Sequence, residues 1–307
     1  MKISTSLYFD QSVQQMSTVQ GDLAATQEQL STGKKIVKPS DSPDQASMVT
    51  RFNTELARQT NYQSTLTQVE TRLKSEETSM TSASDVLSTI KTLALQAANG
   101  TLATADRQAI ALQLGSLRDQ LLSLANTQDS NGNYLFSGTR VGQPAFGKDA
   151  SGQTVYQGDQ GRMQVPVGDN RRMNLNMVGS DAFTSVVRDD GKGGKTAVGF
   201  FQSLDDLVNS VKNNDPTNMQ RGISEVDSLS QGVNLATAQI GSDLHVVDMQ
   251  NSVLDSLVLN LKTVKSNVED VDYTTAVTKM NKDQLALEAA QSSFAKISQM
   301  SLFKFLG

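Results

Sequence analysis

Phe9, Met16, Leu23 and Leu30 stand seven residues apart near the start of the chain, and Tyr273, Met280, Leu287 and Phe294 stand seven apart near its end. On a helix that spacing gathers side chains into one narrow stripe, the seam of a coiled coil. The positions between these anchors are mixed: Val13, Gln20 and Gln27 in the first stripe, and Val277, Gln284, Gln291 and Ser298 in the second. Neither stripe is apolar enough to form a stable core by itself. Two incomplete seams at opposite ends predict that the termini pair with each other and with neighbouring molecules. The expected anchors are Phe9, Val13, Met16, Leu23 and Leu30 with Tyr273, Val277, Met280, Leu287, Phe294 and Ile297. Arms of this kind are marginal alone, so they are expected to be mobile in the monomer and to order on assembly.

Composition narrows the class. A hydrophobic share of 37% with 5% aromatics and no Trp is too apolar for a disordered chain but thin for one large globule. Charged residues are only 19%, which limits repulsion between copies packed side by side. A net charge of −5 without a Lys/Arg stripe argues against nucleic-acid binding. The absence of Cys excludes disulfides and thiolate metal sites. Met1-Lys2-Ile3-Ser4-Thr5-Ser6 lacks the apolar core of a cleaved signal, and no run of about 18 apolar residues predicts a membrane span.

Glycine and proline partition the chain. Thirteen of the 21 glycines fall between Gly132 and Gly199, no proline stands between Asp44 and Gln143, and none follows Pro216. Two long helical halves should therefore flank a turn-rich centre. Gly33 fits a helix stop, and Ser42-Pro43-Asp44 fits a cap followed by a proline start. Tyr62, Leu66, Val69, Leu73, Glu76, Met80, Ala83, Leu87, Ile90, Ala94 and Ala97 alternate steps of three and four, with only Glu76 breaking the apolar seam. A second helix, about 104–127, should fold back after Asn99-Gly100 and bury Ile110, Leu114, Leu117, Leu121 and Leu124. Strands are expected at Tyr134-Leu135-Phe136, Thr154-Val155-Tyr156 and Met163-Gln164-Val165-Pro166-Val167. A helix opened by Asp215-Pro216 repeats the three–four seam through Ile240, Leu244, Val247, Asn251, Leu254, Val258, Leu261, Lys265 and Val268, and should partner the 62–97 rod. The fold class is mainly α with a small β insertion, built from long antiparallel helical rods and terminal coiled-coil arms. Its expected parts are arms over 1–40 plus 271–307, a rod domain over 41–132 plus 200–270, and a β-rich outer insertion over 133–199.

Catalytic chemistry finds little to use. His245, the sole histidine, reads as a structural residue between Leu244 and Val246. Gly194-Lys195-Thr196 would end a phosphate loop, but the required first glycine falls on Asp189, so a solvated loop tip is preferred. Asp129-Ser130-Asn131-Gly132-Asn133 imitates the start of a calcium loop and then fails at Tyr134 and Arg140, leaving a turn. Asn99-Gly100-Thr101 fits a glycosylation acceptor and equally a helix–helix turn. Asp205-Asp206 reads as the charged face of a short helix. No enzyme, cofactor or metal is expected.

The same segments carry a family likeness. Gln29-Leu30-Ser31-Thr32-Gly33-Lys34-Lys35-Ile36 resembles the N-terminal motif of bacterial flagellins, and Ala94-Leu95-Gln96-Ala97-Ala98-Asn99-Gly100-Thr101 with Asp106-Arg107 resembles the flagellin helix–turn–helix. Glu269-Asp270-Val271-Asp272-Tyr273 is similar to the approach to the flagellin C-terminal helix; where flagellins usually carry Arg, this chain has Asn267. Lys38-Pro39-Ser40-Asp41-Ser42-Pro43, Tyr134-Leu135-Phe136-Ser137-Gly138-Thr139 and Tyr156-Gln157-Gly158-Asp159-Gln160-Gly161 look more like the hook-associated branch of that superfamily than like filament flagellin.

The resemblance implies export through the flagellar type III export apparatus with a cytoplasmic chaperone. It also implies assembly as a helical homo-oligomer at the hook–filament junction of the extracellular flagellum. The implied neighbours are the preceding hook-associated protein on one side and flagellin on the other, with no nucleic acid and no membrane insertion. Leu302, Phe303, Phe305 and Leu306 form an apolar tail expected to be covered by the chaperone and later by neighbours. The alternatives are filament flagellin itself, or a secreted helical-stalk binding module or effector.

Overall fold

The computed structural model describes residues 2–189 and 194–306, with side chains over 7–189 and 194–296. Among these the helices are α1 (Lys2–Thr32), α2 (Pro43–Ala97), α3 (Thr104–Ala125), α4 (Gly179–Ala182), α5 (Phe200–Lys212), α6 (Pro216–Glu269) and α7 (Tyr273–Leu306). Three antiparallel hairpins lie between α3 and α5: β1 (Phe146–Lys148) with β2 (Thr154–Tyr156), β3 (Gln164–Gly168) with β4 (Arg171–Asn174), and β5 (Val186–Asp189) with β6 (Lys195–Val198). Among the described residues no helix is long and apolar enough to cross a membrane.

The chain divides into two compact units. One holds the residues up to Gln59 and from Ser256 onward; the other is Thr60–Asp255. Local chemistry sets the helix boundaries. Gly33 ends α1 at φ +70°, a conformation that any Cβ disfavours. Asp41 orders the following loop by accepting the N–H groups of Val37 (3.2 Å) and Lys38 (2.8 Å). Pro43 then occupies the first position of α2, where its missing N–H costs nothing. Asp215 repeats the device before Pro216, accepting the Asn218 N–H at 3.1 Å.

In the larger unit α2 buries the face its sequence predicts. Leu66, Val69, Leu73, Glu76, Met80, Ala83, Leu87, Ile90, Ala94 and Ala97 are all buried, and Tyr62 is half-buried. α6 runs antiparallel to it, as Gln63 to Asp255 (2.6 Å), Ser84 to Asn234 (2.9 Å) and Lys91 to Asp227 (2.6 Å) show. α3 folds back on α2, with the Ser79 hydroxyl donating to the Leu124 carbonyl at 2.9 Å. Its expected face is buried at Ile110, Leu114 and Leu121 and half-buried at Leu117 and Leu124.

The core is continuous from these helices into the β segment through an aromatic cluster. Phe146 lies 5.1 Å from Phe201, 5.3 Å from Tyr156 and 5.6 Å from Phe183, and Phe136 lies 5.5 Å from Phe183. Thr154–Tyr156 forms the expected strand β2, and Gln164–Gly168 covers most of the third expected run, 163–167. Tyr134-Leu135-Phe136 does not form a strand. Only Tyr134 makes an isolated bridge, to Gln128, while Leu135 and Phe136 are wholly buried anchors in irregular backbone. Their apolar character served core packing, which a short run cannot distinguish from strand formation.

Candidate assembly interface

In the smaller unit the two ends of the sequence pack together as α1 and α7. The rings of Phe9 and Phe294 meet with centroids 4.4 Å apart and planes tilted by 52°. At the other end of the pair, backbone hydrogen bonds join the strand-like turns: Lys35 N–H donates to Glu269 O at 2.7 Å, and Val271 N–H to Gly33 O at 3.0 Å. Lys34 Nζ reaches Glu269 Oε1 at 2.7 Å, and Lys265 Nζ reaches Oε2 at 3.2 Å. Burial pushes the Glu269 carboxyl up, but these two lysines outweigh it and hold it below its ordinary value. Gly33 belongs to the same clasp, because a Cβ there would stand 3.0 Å from the Tyr273 hydroxyl.

The anchors divide into two groups. Phe9, Met16, Leu23 and Leu30 on α1 and Met280, Leu287 and Phe294 on α7 are half-buried. Val13 and Val277 are off the contact face, 47% and 41% exposed, and Tyr273 is 56% exposed although its hydroxyl lies beside Gly33. The rungs between anchors lie three residues after each one, not four. They are Ser12, Val19 and Thr26 on α1, and Ala276, Asp283 and Ala290 on α7, with Thr26 and Ala276 fully buried. The expected positions Gln20, Gln27, Gln284 and Gln291 are exposed. A helix turns 100° per residue, so moving each rung by one position carries it off a seam this narrow. The side chains of Ile297, Leu302, Phe303, Phe305 and Leu306 lie outside the described residues.

The seam therefore leaves apolar surface uncovered on this unit. Leu7, Tyr8, Val13, Tyr273, Val277 and Leu285 are all exposed. Exposed apolar side chains of this kind are suited to covering by other protein surface.

The polar groups singled out by sequence have structural partners in the larger unit. Asp129 Oδ1 accepts the N–H groups of Asn131 (2.8 Å) and Asn133 (3.0 Å), and its Oδ2 meets Arg72 Nη1 at 3.2 Å. Asp205 pairs with Arg118 Nε at 2.8 Å and Asp206 with Arg188 Nη1 at 2.7 Å. Arg188 also grips Glu225 with two parallel bonds of 2.8 Å. Asn99 Oδ1 accepts the Thr101 N–H at 3.2 Å, closing the α2–α3 turn. Lys195 and Thr196 lie on β6 of a hairpin, not between a strand and a helix. His245 is exposed on α6.

Comparison with known proteins agrees with this architecture. The bacterial flagellin N-terminal helical region matches residues 3–140, and the bacterial flagellin C-terminal helical region matches residues 223–306. Flagellar hook-associated protein 3 of Salmonella typhimurium is 27% identical over 317 residues, covering 99% of each chain. That of Escherichia coli is 26% identical, again with 99% of each chain covered. A solved structure from Vibrio parahaemolyticus, provisionally named as a flagellar hook-associated protein, superposes with a TM-score of 0.67 at 26% identity, over 75% of this chain and 100% of that one. With both helical ends matched by the flagellin models, the chain belongs to the bacterial flagellin family, and within it is similar from end to end to hook-associated protein 3.

Proposed function

We propose that this chain is a structural adaptor of the bacterial flagellum, joining hook to filament and self-assembling through its N- and C-terminal helices. The observation that carries the reading is a unit built from both ends of the sequence, closed at Phe9–Phe294, with apolar side chains left uncovered on its outside. Likeness to hook-associated protein 3 over 99% of the chain favours a junction part over a filament subunit. The role is mechanical: helices shared between copies connect two lattices.

On this reading the neighbours are further copies of itself, the preceding hook-associated protein and flagellin. A cytoplasmic chaperone and the flagellar type III export apparatus handle the chain before assembly, and the tail at Leu302, Phe303, Phe305 and Leu306 is what the chaperone covers. The arms (1–40 plus 271–307) serve axial contact, the rods (41–132 plus 200–270) form the surrounding shell, and 133–199 is the outer insertion.

The deciding experiment is the flagellar morphology of a deletion strain. Hooks without filaments, with flagellin lost to the medium and filaments restored by the complementing gene, are expected. Filaments persisting on the hooks of that strain would overturn the reading, and long filaments grown from the purified chain alone would make it a flagellin instead.

A further inference from the structure

The α1–α7 seam has one charged rung. Asp283 lies between Met280 and Leu287, is half-buried, and has its Oδ2 shielded from solvent with no hydrogen-bond partner among the described residues. Phe9 on Phe294 at one end and Gly33 beside Tyr273 at the other fix an antiparallel register. That register sets Asp283 across from the turn of α1 that holds Val19 and Leu23. The turn offers a carboxylate no cation. Between Lys2 and Lys34 the sequence contains no Lys or Arg, and the charged residues of that stretch are Asp10, Asp22 and Glu28. On α7 itself Lys279 and Lys282 are exposed, and neither satisfies Oδ2.

A shielded carboxylate oxygen without a donor penalises the state that shields it. A single polar residue in a coiled-coil seam trades stability for control over pairing. We propose that Asp283 sets how readily α1 and α7 part, keeping the arms of a single molecule exchangeable with those of a second copy of this chain. The pair is held by Phe9–Phe294 and the Lys34–Glu269 clasp at its two ends and weakened between them. The exchange half of this inference rests on the adaptor reading; the weakening half does not.

The test uses the full chain at low concentration, with hydrogen exchange followed on peptides within 7–30 and 274–296. Removing the charge by Asp283→Leu should slow exchange there by about tenfold, the scale of one unsatisfied buried polar group. Supplying the absent cation by Val19→Lys costs the Val19 packing in either background, so relative to its own background it should slow exchange more, or speed it less, with Asp283 present than with Asp283→Leu. In a second measurement, labelled Asp283→Leu chain should join isolated hook tips severalfold more slowly than the natural sequence. Unchanged or faster exchange in Asp283→Leu overturns the proposal, as does Val19→Lys acting equally in both backgrounds. Slower exchange with an unchanged joining rate overturns the exchange role. Failure of the natural sequence to join hook tips overturns the adaptor reading, while the exchange data still report on Asp283 alone.

Discussion

Arg72 and Glu76 stand one turn apart on α2 inside the core, yet their closest approach, Nε to Oε1, is 3.5 Å. The guanidinium spends its Nη groups elsewhere, on the carbonyls of Leu135 (2.9 Å) and Tyr134 (3.3 Å) and on Asp129. Glu76 is wholly buried, receives the Met177 N–H on Oε1 at 3.3 Å, and among the described residues has no partner for Oε2. Burial dominates over the nearby Arg72 charge and pushes the Glu76 carboxyl up to about 8. Arg72 thus ties the loop at 134–135 to the rod, and Glu76, the residue that interrupts the α2 seam in sequence, ties the Met177 backbone to it.

That arrangement fixes a pH dependence. The folded state holds the Glu76 proton more tightly than the unfolded chain, where the ordinary value is 4.5. Its contribution is fully present below the unfolded value and is lost as pH rises towards the folded one. Between pH 5 and 8 this single group should cost the natural sequence on the order of 2–4 kcal/mol, at roughly 1.36 kcal/mol per unit of pKa difference. Glu76→Gln keeps the shape and cannot ionise. Thermal unfolding across that range should show the variant gaining on the natural sequence as pH rises; a constant gap would refute the assignment.

Gly33 should tolerate no side chain. Its φ of +70° is left-handed, and a Cβ would press on the Tyr273 hydroxyl at 3.0 Å. Gly33→Ala is expected to destabilise the α1–α7 unit by roughly 1–2 kcal/mol, the usual cost of that backbone region for an L-residue. Trimming the neighbour with Tyr273→Ala relieves the contact but not the backbone, so hydrogen exchange in the double variant should remain faster than in Tyr273→Ala alone.

Gly138 is a harder case of the same kind. At φ +72° its added Cβ would fall 2.2 Å from Asp159 Oδ1 and 2.3 Å from the Asp159 carbonyl oxygen. Asp159 is pinned there because it accepts the N–H groups of Thr139 (2.7 Å) and Gly161 (3.0 Å), while Tyr156 donates to its carbonyl at 2.7 Å. Gly138→Ala should therefore cost more than about 2 kcal/mol, since backbone cannot move aside as a flexible side chain would. Thermal unfolding of the Ala variant within a degree of the natural sequence would contradict this packing.

The long rods were legible in the sequence because a three–four step repeated over many turns averages out single exceptions; even Glu76 fell on the buried face. Helix starts at Pro43 and Pro216 were legible because proline and a capping side chain act through local backbone chemistry. At the termini the structure half-buries Phe9, Met16, Leu23, Leu30, Met280, Leu287 and Phe294 but exposes Tyr273, and the rungs do not follow the plus-four pattern. Anchors seven apart are compatible with a rung at plus three or plus four. Val13 and Val277 drew the choice to plus four, although that choice also placed four glutamines on the seam. Small side chains at Ala276 and Ala290 were the available signal for plus three, since closely approaching helices favour them. Leu135 and Phe136 were read as strand because a three-residue apolar run carries no period at all. Asp283 could not be found from its own helix, because its significance depends on the lack of cations on α1.

The rung shift separates monomer packing from assembly and can be tested with four serine variants. Val19 and Ala276 lie in the α1–α7 seam, half-buried and buried, whereas Val13 and Val277 are largely exposed beside it. Val19→Ser should lower protection of the α1 and α7 amides by about 1 kcal/mol, from lost burial of roughly two methyl groups. Ala276→Ser puts a hydroxyl in the same interior and should act in the same direction. Val13→Ser and Val277→Ser should leave that protection within about 0.5 kcal/mol, the usual range for exposed positions. If the uncovered face is where neighbouring copies dock, these last two should instead reduce joining at hook tips. Serine at 13 or 277 that weakens the isolated pair as much as serine at 19 would return the seam to the plus-four register, and normal joining by both would remove them from the assembly surface.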